Sequence, residues 1–587
     1  MNGYPRFRWI DASNNETSQP RAVAPRHAIS AEQLLAARGI TDPAAVSEFL
    51  SPNLSLSVPP SQMQGMTQAA EIICGFVSRN QKIVIFGDYD ADGISAAAIL
   101  SKTLTLAGGE VSVFLPDRAT EGYGFTPAAL ARCMETHSCA KLLITVDCGI
   151  SQTEATDIAH AAGITVVITD HHEQTRAPSP NAAAIIFPRA AGNPPTIRDL
   201  CGAGVAFKLA HQILKVAAEN TEGGFLRRIT TAEAREFLRS ILPLAALGTV
   251  ADIVPLTDEN RIIVANGLRE LNKPRSGGNL GLDAMKTIAK LRGGINSEDI
   301  AFAFAPRINA SGRIADPTVS LRLLLTEDRA EALALARILE DNNTERRESE
   351  AQAFAAANTS IDAPQHSIVA FEETMRPGVA GLVASRLSEK YNLPSISLCL
   401  PQNDDASENL RGSARCPDIE GLNLSELLGE CAHLLINYGG HRAAAGLTVA
   451  QKNLAPFRAA FDAACARALA GKNTRPKLAI DAWLAPATIS HELKYMTQRL
   501  EPFGANNRAP CFAISGAVLK APPRKFGKTC VNWELKFEDI PCPAVLYRRD
   551  TFPFKPGDAL DIAFAISENQ FDRLILEIKD ARASAAL

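Results

Sequence analysis

Three strand-sized apolar runs, each closed by an acid or an imidazole, constrain this chain more than any other feature. Ile83–Phe86 runs into Gly87-Asp88-Tyr89-Asp90-Ala91-Asp92-Gly93, Leu142–Val146 ends in Asp147, and Ile164–Thr169 ends in Asp170-His171-His172. Helical patterns separate them: ISAAAILSKTLTLAG follows the first, and the Ala-rich TEATDIAHAAG lies between the last two. Short apolar strands alternating with helices predict a parallel α/β sheet over about residues 80–270. Open sheets of this kind place their ligands at the carboxyl ends of the strands.

The residues at those ends carry a definite chemistry. In extended backbone, positions two apart point the same way, so Asp88 and Asp90 present carboxylates to one site while Asp92-Gly93 turns the chain into a helix. Several carboxylates converging without cations repel one another, and divalent metal resolves the conflict. Mixed carboxylate and imidazole ligands suit manganese, or magnesium with some loss of fit. An Asp-x-Asp alone also ends strands in phosphatases of the haloacid dehalogenase type, and His171-His172 alone reads equally well as a solvent-facing pair. The set, in order at three strand ends, carries the metal reading.

At 587 residues the chain is too long for one hydrophobic core. We expect an N-terminal helical segment, 1–79, packed on a catalytic α/β domain, 80–320. Residues 327–358 contain no Gly or Pro and many strong helix formers, so a connecting helix is expected within 321–362. A second α/β domain, 363–470, and a small β-barrel, 471–587, complete the chain. The twelve cysteines form no CxxC pair and read as buried reduced thiols. The net charge of −4 argues against coating nucleic acid by bulk charge, although residues 471–587 hold more Lys and Arg than Asp and Glu. No apolar run reaches the ~20 residues of a membrane span, and the N-terminus lacks the apolar core of a signal peptide. A cytosolic protein without membrane contact is expected.

The motifs also resemble, in order, those of a known family. GDYDADG, TVDCG and TDHH are similar to the first three motifs of the DHH phosphoesterase superfamily, and specifically of its RecJ-type exonucleases. ALGTVADIVPL with NRIIVANGL resembles the fourth, and APRINASGR the fifth. RGSAR and GGHRAAAG resemble the DHHA1 domain, and EPFGANN the lead into a C-terminal OB-like domain. The likeness runs from about residue 35 to the C-terminus.

That resemblance implies a two-metal phosphodiesterase degrading single-stranded DNA from its 5′ end, in recombination and repair. Asp88 would bind one metal and Asp90 the other, Asp147 would bridge them, and His171 and Asp252 would complete the second site. Asp170 would orient an imidazole, and His172 would sit near the scissile phosphate, as a metal ligand or a phosphate contact. Arg118, Arg307, Ser413 and Arg415 would receive the 5′ phosphate, since guanidinium forks match phosphate oxygens; Arg313 and His441 would contact the backbone. Phe526, Trp533, Phe537 and Tyr547 are candidates for stacking on bases, or for the core. A helicase, a single-strand binding protein and a monomeric state are implied by the resemblance alone. Met375-Arg376, Asn507-Arg508 and Phe187-Pro188-Arg189 depart from the family pattern, which bears on substrate contacts and domain docking rather than on the ligands. A pyrophosphatase of the superfamily would carry His where Val84 stands, and a non-catalytic relative would have lost its ligands.

Overall fold

The computed structural model describes residues 6–11, 29–117, 121–122, 124–174, 179–220, 224–273, 279–361, 365–401, 408–527, 531–549, 551–569 and 571–584. Its first sheet is parallel throughout, in the order Val111–Phe114, Ile83–Gly87, Leu142–Val146, Thr165–Thr169, Ala184–Ile186. The central strands Ile83–Gly87 and Leu142–Val146 are buried at every position. That burial explains their unbroken apolar runs, because a parallel sheet covered on both faces has no polar side. Helices Met66–Ser78, Ala91–Leu106, Gly202–Glu219 and Thr231–Ala251 share the larger core on one face. A smaller cluster containing Phe86, Phe114, Phe125 and Leu130 fills the other.

Register places the chemistry. Gly87 pairs with Val146, and Val146 with Thr169. The next residue of each strand is therefore Asp88, Asp147 or Asp170, and the three stand level along one edge.

The connecting helix, Arg329–Thr359, has 31 residues and so spans about 46 Å at 1.5 Å per residue. Beyond it lies a five-stranded mixed sheet ordered Leu435–Gly440, Ala444–Ala450, Asn409–Arg415, Ser395–Cys399, Ile368–Phe371. Helix Pro377–Tyr391 packs on this sheet and against the connecting helix. The C-terminal unit is a curled seven-stranded sheet running from Ala482–Trp483 at one edge to Arg524–Phe526 at the other, and it resembles a small barrel. No helix among the described residues is long and apolar enough to cross a membrane.

The N-terminal segment departs from expectation. Only its second half, with Met63, Met66 and Ile73, joins the catalytic core. Ile29, Leu34 and Leu35 instead belong to the core of the C-terminal sheet, with Val46 and Phe49 packed against it. Strand Arg8–Ile10 pairs in parallel with Lys477–Ala479. A short amphipathic helix shows that a face will be buried but not against which partner, and here the distant C-terminal sheet supplies the apolar surface.

Arg261, on helix Asp258–Leu271 of the catalytic domain, ties these parts together. Its guanidinium is buried, lies 3.7 Å over the Phe49 ring and donates to the carbonyls of Phe49, Leu500 and Glu501. Replacing Arg261 with Met should leave those carbonyls unpaired and cost roughly 3 kcal/mol. Urea unfolding of the full chain checks this, and a loss below about 0.5 kcal/mol would show that the strut contributes little.

Candidate metal centre

The first strand delivers its acids through a helix cap. Asp90 is the N-cap of Ala91–Leu106, its carboxylate accepting from Asp92 N at 2.9 Å and Gly93 N at 3.1 Å. Asn309, in the APRINASGR segment, accepts from Ala91 N at 2.7 Å, so that motif braces the first one. Asp147 follows its strand in the left-handed region, φ 62, a conformation that Asp tolerates better than most residues. Asp252 is the C-cap of Thr231–Ala251.

Their side chains converge. His171 Nε2 lies 3.0 Å from Asp147 Oδ1, 3.5 Å from Asp252 Oδ2 and 3.8 Å from Asp92 Oδ2. Ligand atoms of Asp88, Asp90 and Asp147 fall within 4.8 Å of one another, as do those of Asp147, His171 and His172 and those of Asp92, His171 and Asp252. The three groups overlap at Asp147 and His171. Asp147 Oδ1 and His171 Nε2 are buried with no hydrogen-bond partner, a costly arrangement that a cation between them relieves. Carboxylate and imidazole donors packed in this way fit two divalent ions.

The protonation pattern follows from that geometry. Burial and the surrounding carboxylates push Asp147 well above the usual carboxylate range and Asp252 up to about 8. Burial pulls His171 down to about 4, which leaves its imidazole neutral and suited to ligation. His172 behaves oppositely: burial opposes its charge, but the 2.8 Å bond from Nδ1 to Asp170 Oδ1 and the nearby acids raise it to about 9. Asp170 is buried too, yet His172 and the N–H groups of Ile150, His171 and His172 hold it below its ordinary value. Asp170 is thus a permanent anion that fixes the imidazole loop.

Sequence pattern assigns Asp92 only to a turn. Its carboxylate instead accepts from Gly202 N at 2.6 Å and Ala203 N at 2.8 Å, at the start of helix Gly202–Glu219. The signal available in the sequence is its place in an Asp-x-Asp-x-Asp run. Glycines make the close packing possible. A Cβ at Gly202 would stand 2.6 Å from Asp147 Cβ, one at Gly93 2.6 Å from Asp88 O, and one at Gly248 2.5 Å from Asp92 Oδ1.

The basic residues are less uniformly gathered. Arg313 and Ser413 line one cleft between the lobes, and a Cβ at Gly381 would lie 2.9 Å from Arg415 Nη2 and 3.6 Å from Ser413 Oγ. Arg307 is held by Glu340 of the connecting helix at 2.5 Å and by Ala303 O at 2.7 Å. His441 reaches back across the lobes to Glu173, Nδ1 to Oε2 3.2 Å. Arg118 lies outside the described residues. Of the aromatic candidates, Phe537 is core and Trp533 packs against it, while Phe526 and Tyr547 are exposed.

Comparison with known proteins agrees with this architecture. Residues 82–249 match the DHH family N-terminal domain, 365–467 the DHHA1 domain and 480–578 the RecJ OB domain. The single-stranded-DNA-specific exonuclease RecJ of Bacillus subtilis is 34% identical over 94% of this chain and 67% of its own length. The chain belongs to the RecJ family. The RecJ of Dickeya dadantii is 35% identical, with 68% of each chain covered. The crystal structure of RecJ from Thermus thermophilus in complex with Mn2+ superposes with a TM-score of 0.79 at 26% identity, covering 100% of this chain and 81% of that one. A Mg2+ complex of the same protein gives 0.74, covering 99% and 79% at the same identity. RecJ crystals thus hold either metal expected from the donor set.

Two outcomes test the site. Asp252 protonates at about 8 without metal, and metal must displace that proton. Apparent Mn2+ affinity should therefore rise from pH 6 through about pH 8, measured by titration calorimetry; a flat profile over that range would remove Asp252 from the ligand set. Gly202→Ala should weaken Mn2+ binding more than ~10-fold by displacing Asp147, with thermal melting showing whether the fold persists.

Proposed function

We propose that this protein is a 5′-to-3′ exonuclease of single-stranded DNA that hydrolyses phosphodiester bonds with two divalent ions. The observation that carries the reading is the overlap of three ligand groups at Asp147 and His171, in a chain of the RecJ family. Asp88, Asp90, Asp147, His171 and Asp252 would hold the ions, and Asp92 joins them as an acid within reach of His171. Two ions so held supply Lewis-acid stabilisation of the phosphate and a water acidified toward neutrality.

The rest belongs to the chain's own groups. His172, held by Asp170 through Nδ1, is placed to hydrogen-bond a phosphate oxygen. Ser413 and Arg415, with Arg118 and Arg307, would grip the 5′ phosphate; for Arg307 this requires release from Glu340. Arg313 and His441 would bind the strand from either side of the cleft. A terminal-phosphate grip beside the hydrolytic centre sets the direction of digestion. The same reading places a monomer in the cytosol, working in recombination and repair on strands opened by a helicase and handed over by a single-strand binding protein.

The test is a 5′-phosphorylated single strand labelled at its 3′ end, incubated with Mn2+ beside a blunt duplex and a dinucleotide. Progressive shortening of the single strand alone is expected, and Asp147→Ala should reduce it more than ~100-fold, beyond what loss of an outer partner of a metal site costs. Cleavage of the dinucleotide alone would assign the site to small molecules instead.

A further inference from the structure

The acidic edge continues one strand beyond the metal centre. Thr169 pairs with Ile186, so the residue standing level with Asp170 on the outer strand is Phe187. From there the chain forms a cavity of about 630 Å³, with Phe187 and Pro195 as walls and Arg189, Arg198, Glu173 and Asp199 around them. That volume lies within the ~300–1,000 Å³ of small-ligand clefts, and nothing in the proposed hydrolysis uses it.

Its cations are poorly satisfied by the protein. Arg189 Nη1 stands 3.6 Å from Glu173 and Nη2 3.9 Å from Asp199, both longer than hydrogen bonds. Among the described residues the Arg198 guanidinium has no carboxylate or hydrogen-bond partner. A phosphate dianion would engage either fork better than these distant acids do. The cavity also adjoins the chemistry, because Glu173 directly follows His172 and is shared between Arg189 on one side and His441 of the second lobe on the other.

We infer that this cavity docks a nucleoside 5′-monophosphate, its phosphate on Arg189 and Arg198 and its base against Phe187 and Pro195, and that the occupant is the nucleotide just released. Exchange of Glu173 for phosphate on Arg189 draws the product sideways off the metal centre while the strand stays in the cleft between the lobes. The inference rests on the exonuclease reading above. Its signature is product inhibition that can be separated from strand binding.

The experiment uses the full chain with Mn2+, a 5′-phosphorylated single strand as substrate and dAMP as the added product. Arg189→Gln/Arg198→Gln should raise the inhibition constant of dAMP ~10-fold, the effect of about one lost charge-assisted hydrogen bond, with KM for the strand within about twofold. The exposed single change Arg198→Gln, which removes no internal contact, should move it in the same direction and guards against misfolding of the double variant. Equilibrium dialysis of dAMP in EDTA supplies a readout independent of catalysis, and should show the same weakening. An unchanged inhibition constant overturns the inference. So does a KM that rises in step with it, because the cavity would then hold the strand's own nucleotides. A wild-type chain that binds dAMP here yet degrades no strand would defeat the exonuclease reading and leave the site standing.

Discussion

The structure depends on carboxylates brought closer together than their charges permit. Asp88, Asp92 and Asp147 are each no more than 2% exposed, and burial alone raises the free energy of their ionised forms. Such a cluster persists only because the surrounding scaffold over-determines it. Level strand ends set its height, the start of helix Gly202–Glu219 anchors Asp92, and glycines let backbone and carboxylate approach without a Cβ between them. The protein thus stores electrostatic repulsion in a rigid frame, and cations release it. Metal affinity and folding stability are two readings of the same term.

A second theme is how the parts are locked. Lys208 and Glu259, both buried, form an ion pair that also grips Ser57 and Val58, pinning the N-terminal linker to two catalytic helices. Two of the three departures from the family pattern fall on such seams. Asn507 bonds Leu500 and Pro502 carbonyls and accepts from Arg38 at 3.0 Å, while Arg508 reaches Asp481. Met375 is buried in the second lobe and Arg376 pairs with Glu345 of the connecting helix at 2.6 Å. Both pairs make contacts between units, and neither belongs to the candidate ligand groups.

Strand-end chemistry was legible in the sequence because a buried parallel strand is an unbroken apolar run whose end is marked by the first acid. That pattern alone puts Asp88, Asp147 and Asp170 on one edge. The role of Asp92 was not legible, since its hydrogen bonds go to a helix about 110 residues away, and a local pattern holds no record of that. The same limit explains the N-terminal helices: periodicity shows that Leu34 and Leu35 are buried, but not that the C-terminal sheet covers them. Arg307 illustrates a third limit, for a motif names the residue but not the salt bridge to Glu340 that competes for it.

The partnership between the two ends of the chain also has a consequence in time. A ribosome makes Trp9, Leu34 and Leu35 long before their partners on strands Ala559–Glu568 and Leu574–Ala583. At ~5–20 residues per second that interval is on the order of a minute. Through it the nascent chain carries an unclothed apolar segment ahead of a catalytic domain already able to close. Closure of the C-terminal sheet is therefore also the burial of a segment made about 500 residues earlier, and a molecule interrupted between the two leaves that segment's apolar face uncovered.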